Sequence, residues 1–327
     1  MKIAIIGSGM AAITLAKHLK KDNFITLFEK SRGVGGRIST RRSEKYEFDH
    51  GAQFFTAKSK DFKNFIAPII KKNIIQRWDA RFAEFKNNVI LRKHTWDSEY
   101  PHYVGAPGMS NILKYLSDDL NIELNTEICN VTKNNNDGWN LFNSNGKNLG
   151  DYDWVISSAP AFQSATILPK IYKYHDQLLN KKMLGCFSLM LGFKNPLNLS
   201  WDAALISEAD ISWISVNSSK PMRPKNFTLL IHSTNAWADK NIDKDPEKVK
   251  NHLIEVTSNI IGHDTSVAEH IDLHGWKYAN IEKQEDSNLL IDYKNKLASC
   301  GDWLIQGRIE SAFKSGLMLA KSINKEL

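Results

Sequence analysis

The chain opens with an apolar, β-branched run from Lys2 to Ile6, broken at Gly7 to Gly9. Apolar residues then recur at helical spacing from Met10 to Leu19, and a second apolar run covers Ile25 to Phe28. Strand, turn, helix and strand in that order predict the βαβ opening of a doubly wound sheet, whose parallel strands are buried on both faces and so read as continuous apolar runs. Farther along, the spacing predicts helices over Asp61 to Lys72 and Met109 to Leu120, the second with Ser110 as N-cap. Strand-like pieces lie between them, around Ile75 to Phe85 and Val89 to Arg92. After Leu120 the period changes to two: Ile122 to Val131 and Trp139 to Phe142, separated by the turn-rich run Asn134 to Gly138, predict a β-meander. Asp153 to Ser157 reads as a buried strand, and Phe187 to Phe193, Ile211 to Val216 and Phe227 to Ser233 as further strands, with a helix over Pro246 to Ile261. Strand and helix return at Leu297 to Ile305 and Glu310 to Ile323. The pattern predicts an α/β domain assembled from discontinuous pieces (1–75, 105–165 and 285–327), with an α+β domain of mixed or antiparallel sheet inserted as two excursions (76–104 and 166–284).

Composition narrows the class of protein without choosing a function. The 327 residues are 42% hydrophobic and 24% charged, ordinary for a globular chain. The net charge is +7, but lysines such as Lys20, Lys21, Lys71 and Lys72 come in scattered pairs, as on solvated helix ends. No nucleic-acid partner is expected. Cys129, Cys186 and Cys300 lie far apart without CxxC spacing, so neither a disulfide framework nor a metal site is expected, and a reducing cytoplasm fits. No apolar stretch reaches the roughly 18 residues that a membrane span needs.

The chemistry begins at Gly7-Ser8-Gly9-Met10-Ala11-Ala12, between a strand and a helix. That context turns a weak glycine pattern into a dinucleotide fingerprint. Gly7 permits the tight turn, Gly9 lets backbone approach a pyrophosphate, and the helix N-terminus offers unpaired N–H groups and positive dipole. Ala12 stands where the third glycine is usual, and its small side chain still allows close helix packing. Glu29, 20 residues beyond Gly9, closes the second strand where a carboxylate can accept hydrogen bonds from a ribose diol. The fingerprint alone does not choose between FAD and NAD.

The residues after the acid do. Glu29-Lys30-Ser31-Arg32-Gly33-Val34-Gly35-Gly36-Arg37 resembles the second signature of flavoprotein amine oxidases, in which the glycines let a loop lie against the pyrophosphate and Arg37 pairs with a phosphate. Asp49-His50-Gly51-Ala52-Gln53-Phe54-Phe55-Thr56 resembles the stretch that runs beside the flavin ring in that superfamily. Asp49 reads as a structural turn residue, and Phe54 and Phe55 read equally as core packing. Gly301-Asp302-Trp303 and the run from Arg308 to Gly316 resemble the third element, in which the aspartate bonds the ribityl or phosphate region and a helix N-terminus meets the flavin edge. The resemblance implies a glutathione-reductase-like Rossmann domain holding FAD non-covalently. Its contacts would be Gly7, Gly9, Met10, Ala11, Ala12, Glu29, Lys30, Arg32, Gly36, Arg37, His50, Gly51, Ala52, Gln53, Phe54, Ile128, Gly301, Asp302, Ile309 and Glu310, and the inserted domain would serve the substrate.

With these residues in hand, the whole chain resembles the renalase family, through Tyr103 to Leu113, Trp213 to Pro224, Leu229 to Thr234 and Gly275 to Ala279 besides the flavin elements. The resemblance implies oxidation of the 2-dihydro and 6-dihydro isomers of NAD(P)H, with hydride passing to flavin N5 and electrons to O2, yielding NAD(P)+ and hydrogen peroxide. It implies positioning roles for Gln53, Phe54, His232 and Trp276 in the substrate cavity. Phe54 departs from a tyrosine found in related members. His232 and Trp276 also read as core residues, and Lys220 and Arg223 read as partners of substrate phosphates or, in preference, as a solvated loop. Two alternatives stay open. An amine oxidase would carry aromatics just before Gly301-Asp302, where Glu285 to Ser299 offers only Tyr293. A non-catalytic FAD-binding protein would lack turnover. Covalent attachment through Cys300 or His50 has no specific signal.

Overall fold

The computed structural model describes residues 1–285 and 289–326, in two compact units. The first comprises Met1–Arg37, Leu113–Met183 and Ile281–Leu327. Its six-stranded sheet runs Leu290–Asp292, Leu297–Ser299, Trp154–Ser157, Lys2–Ile6, Phe24–Phe28 and Ile122–Glu123. All neighbours pair parallel except the first two strands. Ile3, Ala4, Ile5 and Val155 have no exposed surface, as continuous apolar runs in a doubly covered parallel sheet require. Of the period-two run, Ile122–Glu123 joins the parallel sheet, while Ile128–Lys133 and Trp139–Asn143 form the expected meander together with Asn148–Tyr152. The last helix, Ile309–Glu326, packs on the first, Met10–His18, so closely that a Cβ on Gly316 would stand 2.3 Å from the Ala11 carbonyl oxygen.

The second unit comprises Ile38–Ile112 and Leu184–Asn280. Its seven-stranded sheet runs His270–Asn280, Leu184–Phe193, Phe227–Ser233, Ile211–Val216, Ala203–Ser207, Arg81–Lys86 and Val89–Thr95. Only Ala203–Ser207 and Arg81–Lys86 pair parallel. Side chains alternate between faces along each strand. One face, with Leu189, Leu191, Leu229, Ile231 and Ile214, buries the core together with Val249 and Leu253 of the helix Pro246–Ile261. On the other, register sets His274, Ser188, His232 and Trp213 side by side across four strands.

Two elements differ from the sequence expectation. The helix begins at Ser110 and ends at Leu116, and Ser110 is not its cap: its Oγ is buried without a partner, while the Met109 and Ser110 amides donate to Asp49 Oδ1 (2.9 Å) and Thr40 Oγ1 (3.2 Å). The strand from Leu297 stops at Ser299, where Gly301 leads into a short 3₁₀ turn over Asp302–Leu304. The compact units also divide the chain at other points. Residues 38–75 and 105–112 fall in the second unit, where Ile75–Arg77 pairs with Tyr103–Gly105 and Phe48 packs on Met190 and Leu230. Residues 166–183 fall in the first, where Tyr172 is buried and donates to the Leu290 carbonyl (2.7 Å). Asp286, Ser287 and Asn288, within the stretch searched for an aromatic cage, lie outside the described residues.

Candidate functional site

In the first unit, Gly7 has φ +102°, and a Cβ there would stand 2.6 Å from Ser158 Oγ. Glycine is required on both counts. Gly9 caps the following helix without a side-chain hydrogen bond, and nothing lies within 4 Å of where its Cβ would be. First-turn amides, the helix dipole and open space therefore coincide, as a pyrophosphate needs. The second glycine loop lies against the first: Gly35 N donates to Ser8 O (3.2 Å), and a Cβ on Gly36, which has φ +54°, would stand 3.8 Å from Gly9 Cα. Glu29 is buried and fixed, its Oε2 accepting from Ser8 N (3.0 Å) and Ser8 Oγ (2.8 Å) and its Oε1 from Ser31 N (2.8 Å). These residues fit a dinucleotide cofactor.

Not every predicted contact is arranged as expected. Arg37, read as a phosphate partner, spends its fork on Asp302, with Nη1 to Oδ2 at 3.0 Å and Nη2 to Oδ1 at 2.5 Å. Lys30 and Arg32 are exposed, Lys30 facing Glu127 at 4.0 Å. Met10, Ala11, Ala12, Ile128, Ile309 and Glu310 are buried, and Glu310 accepts from Lys314 (2.9 Å). Gly301 N donates to Ser315 Oγ (2.9 Å), which ties the glycine-aspartate turn to the last helix. Burial pushes the Cys300 thiol up to about 12, which makes it a poor nucleophile.

In the second unit, the stretch from Asp49 to Phe54 meets the polar face of the large sheet. The His50 carbonyl accepts from Ser188 Oγ (2.7 Å) and Trp276 Nε1 (2.9 Å), and His232 lies across the strands from Ser188. The His50 ring stacks on Trp276 at 5.1 Å, and His274 meets both edge-on. Gln53, expected to face substrate, uses its whole carboxamide inside the protein: Nε2 donates to the Asp49 and Gly51 carbonyls, and Oε1 accepts from Ser215 Oγ (3.0 Å) and Lys220 Nζ (3.3 Å). It closes the turn. Gly51 and Ala52 are part-exposed at its tip. Phe55 is core, against Phe62 and Tyr103, whereas Phe54 is half-buried among Trp96, His102 and Trp213.

The solvated loop expected at Lys220 and Arg223 is instead the most buried ionic cluster among the described residues. Asp49 Oδ2 pairs with Lys220 Nζ (3.3 Å) and Arg223 Nη2 (2.5 Å), with the three side chains at most 1% exposed. Asp49 Oδ1 accepts from Thr40 Oγ1 (2.8 Å), and Asn217 accepts from Lys220 Nζ (3.0 Å) and from Asp49 N (3.3 Å). Burial alone would raise the Asp49 carboxyl, but the Lys220 and Arg223 charges outweigh it and hold it below the usual range. Burial drives Lys220 well below an ordinary lysine despite Asp49. Two cations against one carboxylate leave the cluster with net positive charge. Burial, chiefly, lowers the imidazoles too, His50 to about 3 and His232 to about 4, so they are neutral at pH 7.

A model of an NAD(P)-binding Rossmann-like domain matches residues 5–68, and that of the flavin containing amine oxidoreductases matches residues 79–324. The chain belongs to the flavin containing amine oxidoreductases. This family carries a flavin, for which the glycine loops and Glu29 are suited. Similar solved structures include a protein from Exiguobacterium sp. 255-15 provisionally named a protoporphyrinogen oxidase (TM-score 0.80, 12% identity, 100% of this chain and 99% of that one). The cyclohexylamine oxidase of Brevibacterium oxydans IH-35A has TM-score 0.74 and 12% identity, with 99% of each chain covered. At such identities the likeness is one of fold. Among curated proteins, 4,4'-diapophytoene desaturase of Staphylococcus aureus (strain Newman) is 31% identical over 77 residues, 20% of this chain and only 15% of the desaturase. Among the described residues, no helix of this amine oxidoreductase is long and apolar enough to cross a membrane, and no group of His, Cys, Asp and Glu could hold a metal ion.

Proposed function

We propose that the protein binds FAD non-covalently through the first unit and oxidises the 2-dihydro and 6-dihydro isomers of NAD(P)H to NAD(P)+, with O2 reduced to hydrogen peroxide. The flavin supplies the hydride acceptor and the route of the electron pair to O2. The chain supplies position and a dry environment. Loss of hydride from a dihydropyridine restores aromaticity and needs no general base, and the neutral imidazoles of His50 and His232 offer only weak ones. Trp276 and Phe54 present part-exposed rings suited to a flat heterocycle.

The observation that carries this reading is charge. Amines arrive as cations, yet the second unit's polar interior holds Lys220 and Arg223 against Asp49 alone, and Arg41 is already paired with Asp272 at 2.5 Å. Such a field favours an anionic dinucleotide over an ammonium. Three unpaired thiols, Cys129, Cys186 and Cys300, suit a reducing cytoplasm. The test is a peroxide-coupled oxidase assay on the purified holoenzyme. Turnover with either isomer, and little with ordinary NADH, putrescine or cyclohexylamine, is expected; turnover with an amine alone would replace this reading with amine oxidation.

A further inference from the structure

Trp213 Nε1, His232 Nε2 and His102 Nδ1 are buried without a hydrogen-bond partner, on rings linked through shared neighbours. Trp213 and His232 are register partners on neighbouring strands. Phe54 bridges Trp213 and His102, with ring centroids 5.5 and 5.1 Å away, and His102 lies flat on Trp96 at 3.7 Å. Buried polar atoms are rarely left unpaired, and a cluster of them beside aromatic rings marks where a ligand's polar group is read.

An indole nitrogen only donates. A neutral imidazole carries one N–H and one bare nitrogen, so the unpartnered Nδ1 of His102 and Nε2 of His232 can each accept. One donor and two acceptors match a primary carboxamide, with one acceptor oxygen and two N–H donors. Phe54 is half-buried and touches two of the three rings.

We infer that Trp213 and His102, with His232, form a carboxamide-reading subsite in which Trp213 Nε1 donates to the amide oxygen and His102 accepts from the amide nitrogen. This rests on the proposed dinucleotide substrate, whose nicotinamide carries that group. Burial pushes the His102 imidazole below its ordinary value, which favours the unprotonated ring.

The test is binding of three dinucleotides to the holoenzyme by flavin absorbance perturbation: NAD+, its 3-acetylpyridine analogue, which keeps the acceptor oxygen but loses the N–H donors, and its nicotinic acid analogue. Wild type should prefer NAD+ to both analogues by about tenfold, the scale of one hydrogen bond. W213F, which keeps a ring but loses the donor, should weaken NAD+ and the acetyl analogue alike. H102F, which keeps the stack on Trp96, should weaken NAD+ about tenfold and leave the acetyl analogue unchanged. Tight binding of all three without preference, or equal losses from both variants on every ligand, would overturn the subsite alone. Absence of dinucleotide binding in wild type would overturn the proposed function and the subsite with it.

Discussion

Asp49 holds one negative charge against two cations, and its backbone and side chain also fix Met109, Thr40 and Asn217. Removing one partner of a buried ion pair strands the others, at a cost of about 3–5 kcal/mol. Asp49→Asn should therefore lower the melting temperature strongly, while Lys220→Met, which leaves a balanced Asp49–Arg223 pair, should cost clearly less. Equal losses would mean that the excess positive charge is not real. The imidazoles give a second expectation. His50 and His232 titrate in the fold at about 3 and about 4, against 6.5 when exposed. The unfolded chain thus binds more protons through this interval, and stability must fall as pH drops from about 6.5 towards 4. Thermal melts across that range should show a shallower decline in His232→Asn; an identical slope would contradict the neutral, desolvated imidazole. None of this was legible residue by residue. Lysine and arginine are exposed by default, and Lys220 meets Asp49 from 171 positions away. The turn-forming run Asn217-Ser218-Ser219 and the serine at 188 inside an apolar strand were the local signals of a polar interior.

At the scale of elements, the close approach of the first and last helices makes a prediction of its own. A methyl at Gly316 would collide with the Ala11 carbonyl oxygen, a backbone atom that cannot swing away. Gly316→Ala should cost about 1–3 kcal/mol through overpacking and reduce the flavin-to-protein ratio after purification, because Ala11 belongs to the glycine-loop helix. Full flavin content in a stable variant would show that the helix pair does not govern the loop. Strands bounded by turns were readable to the residue, as at Ile211–Val216 and Phe227–Ser233, because apolar period and breakers agreed. The start of the helix after Met109 is held by Asp49 and Thr40, partners that no local capping rule can see, and its helical hydrogen bonding ends at Leu116 rather than Leu120.

At the scale of the molecule, the glycine fingerprint, the second glycine loop and the Gly301-Asp302 turn made the cofactor class readable from order and context. The substrate is different. Its proposed identity rests on polar atoms left without partners and on the charge balance around Asp49, both products of tertiary placement. The net charge of +7 is consistent with a polyanionic substrate but does not identify one. The most direct measurement is anaerobic stopped-flow absorbance of the purified flavoprotein mixed with the 2-dihydro and 6-dihydro isomers of NAD(P)H, with ordinary NADH, and separately with amines. Rapid bleaching of the flavin band by one of the isomers, with ordinary NADH and amines slow, is the predicted result; rapid bleaching by an amine, with the isomers inert, would contradict it.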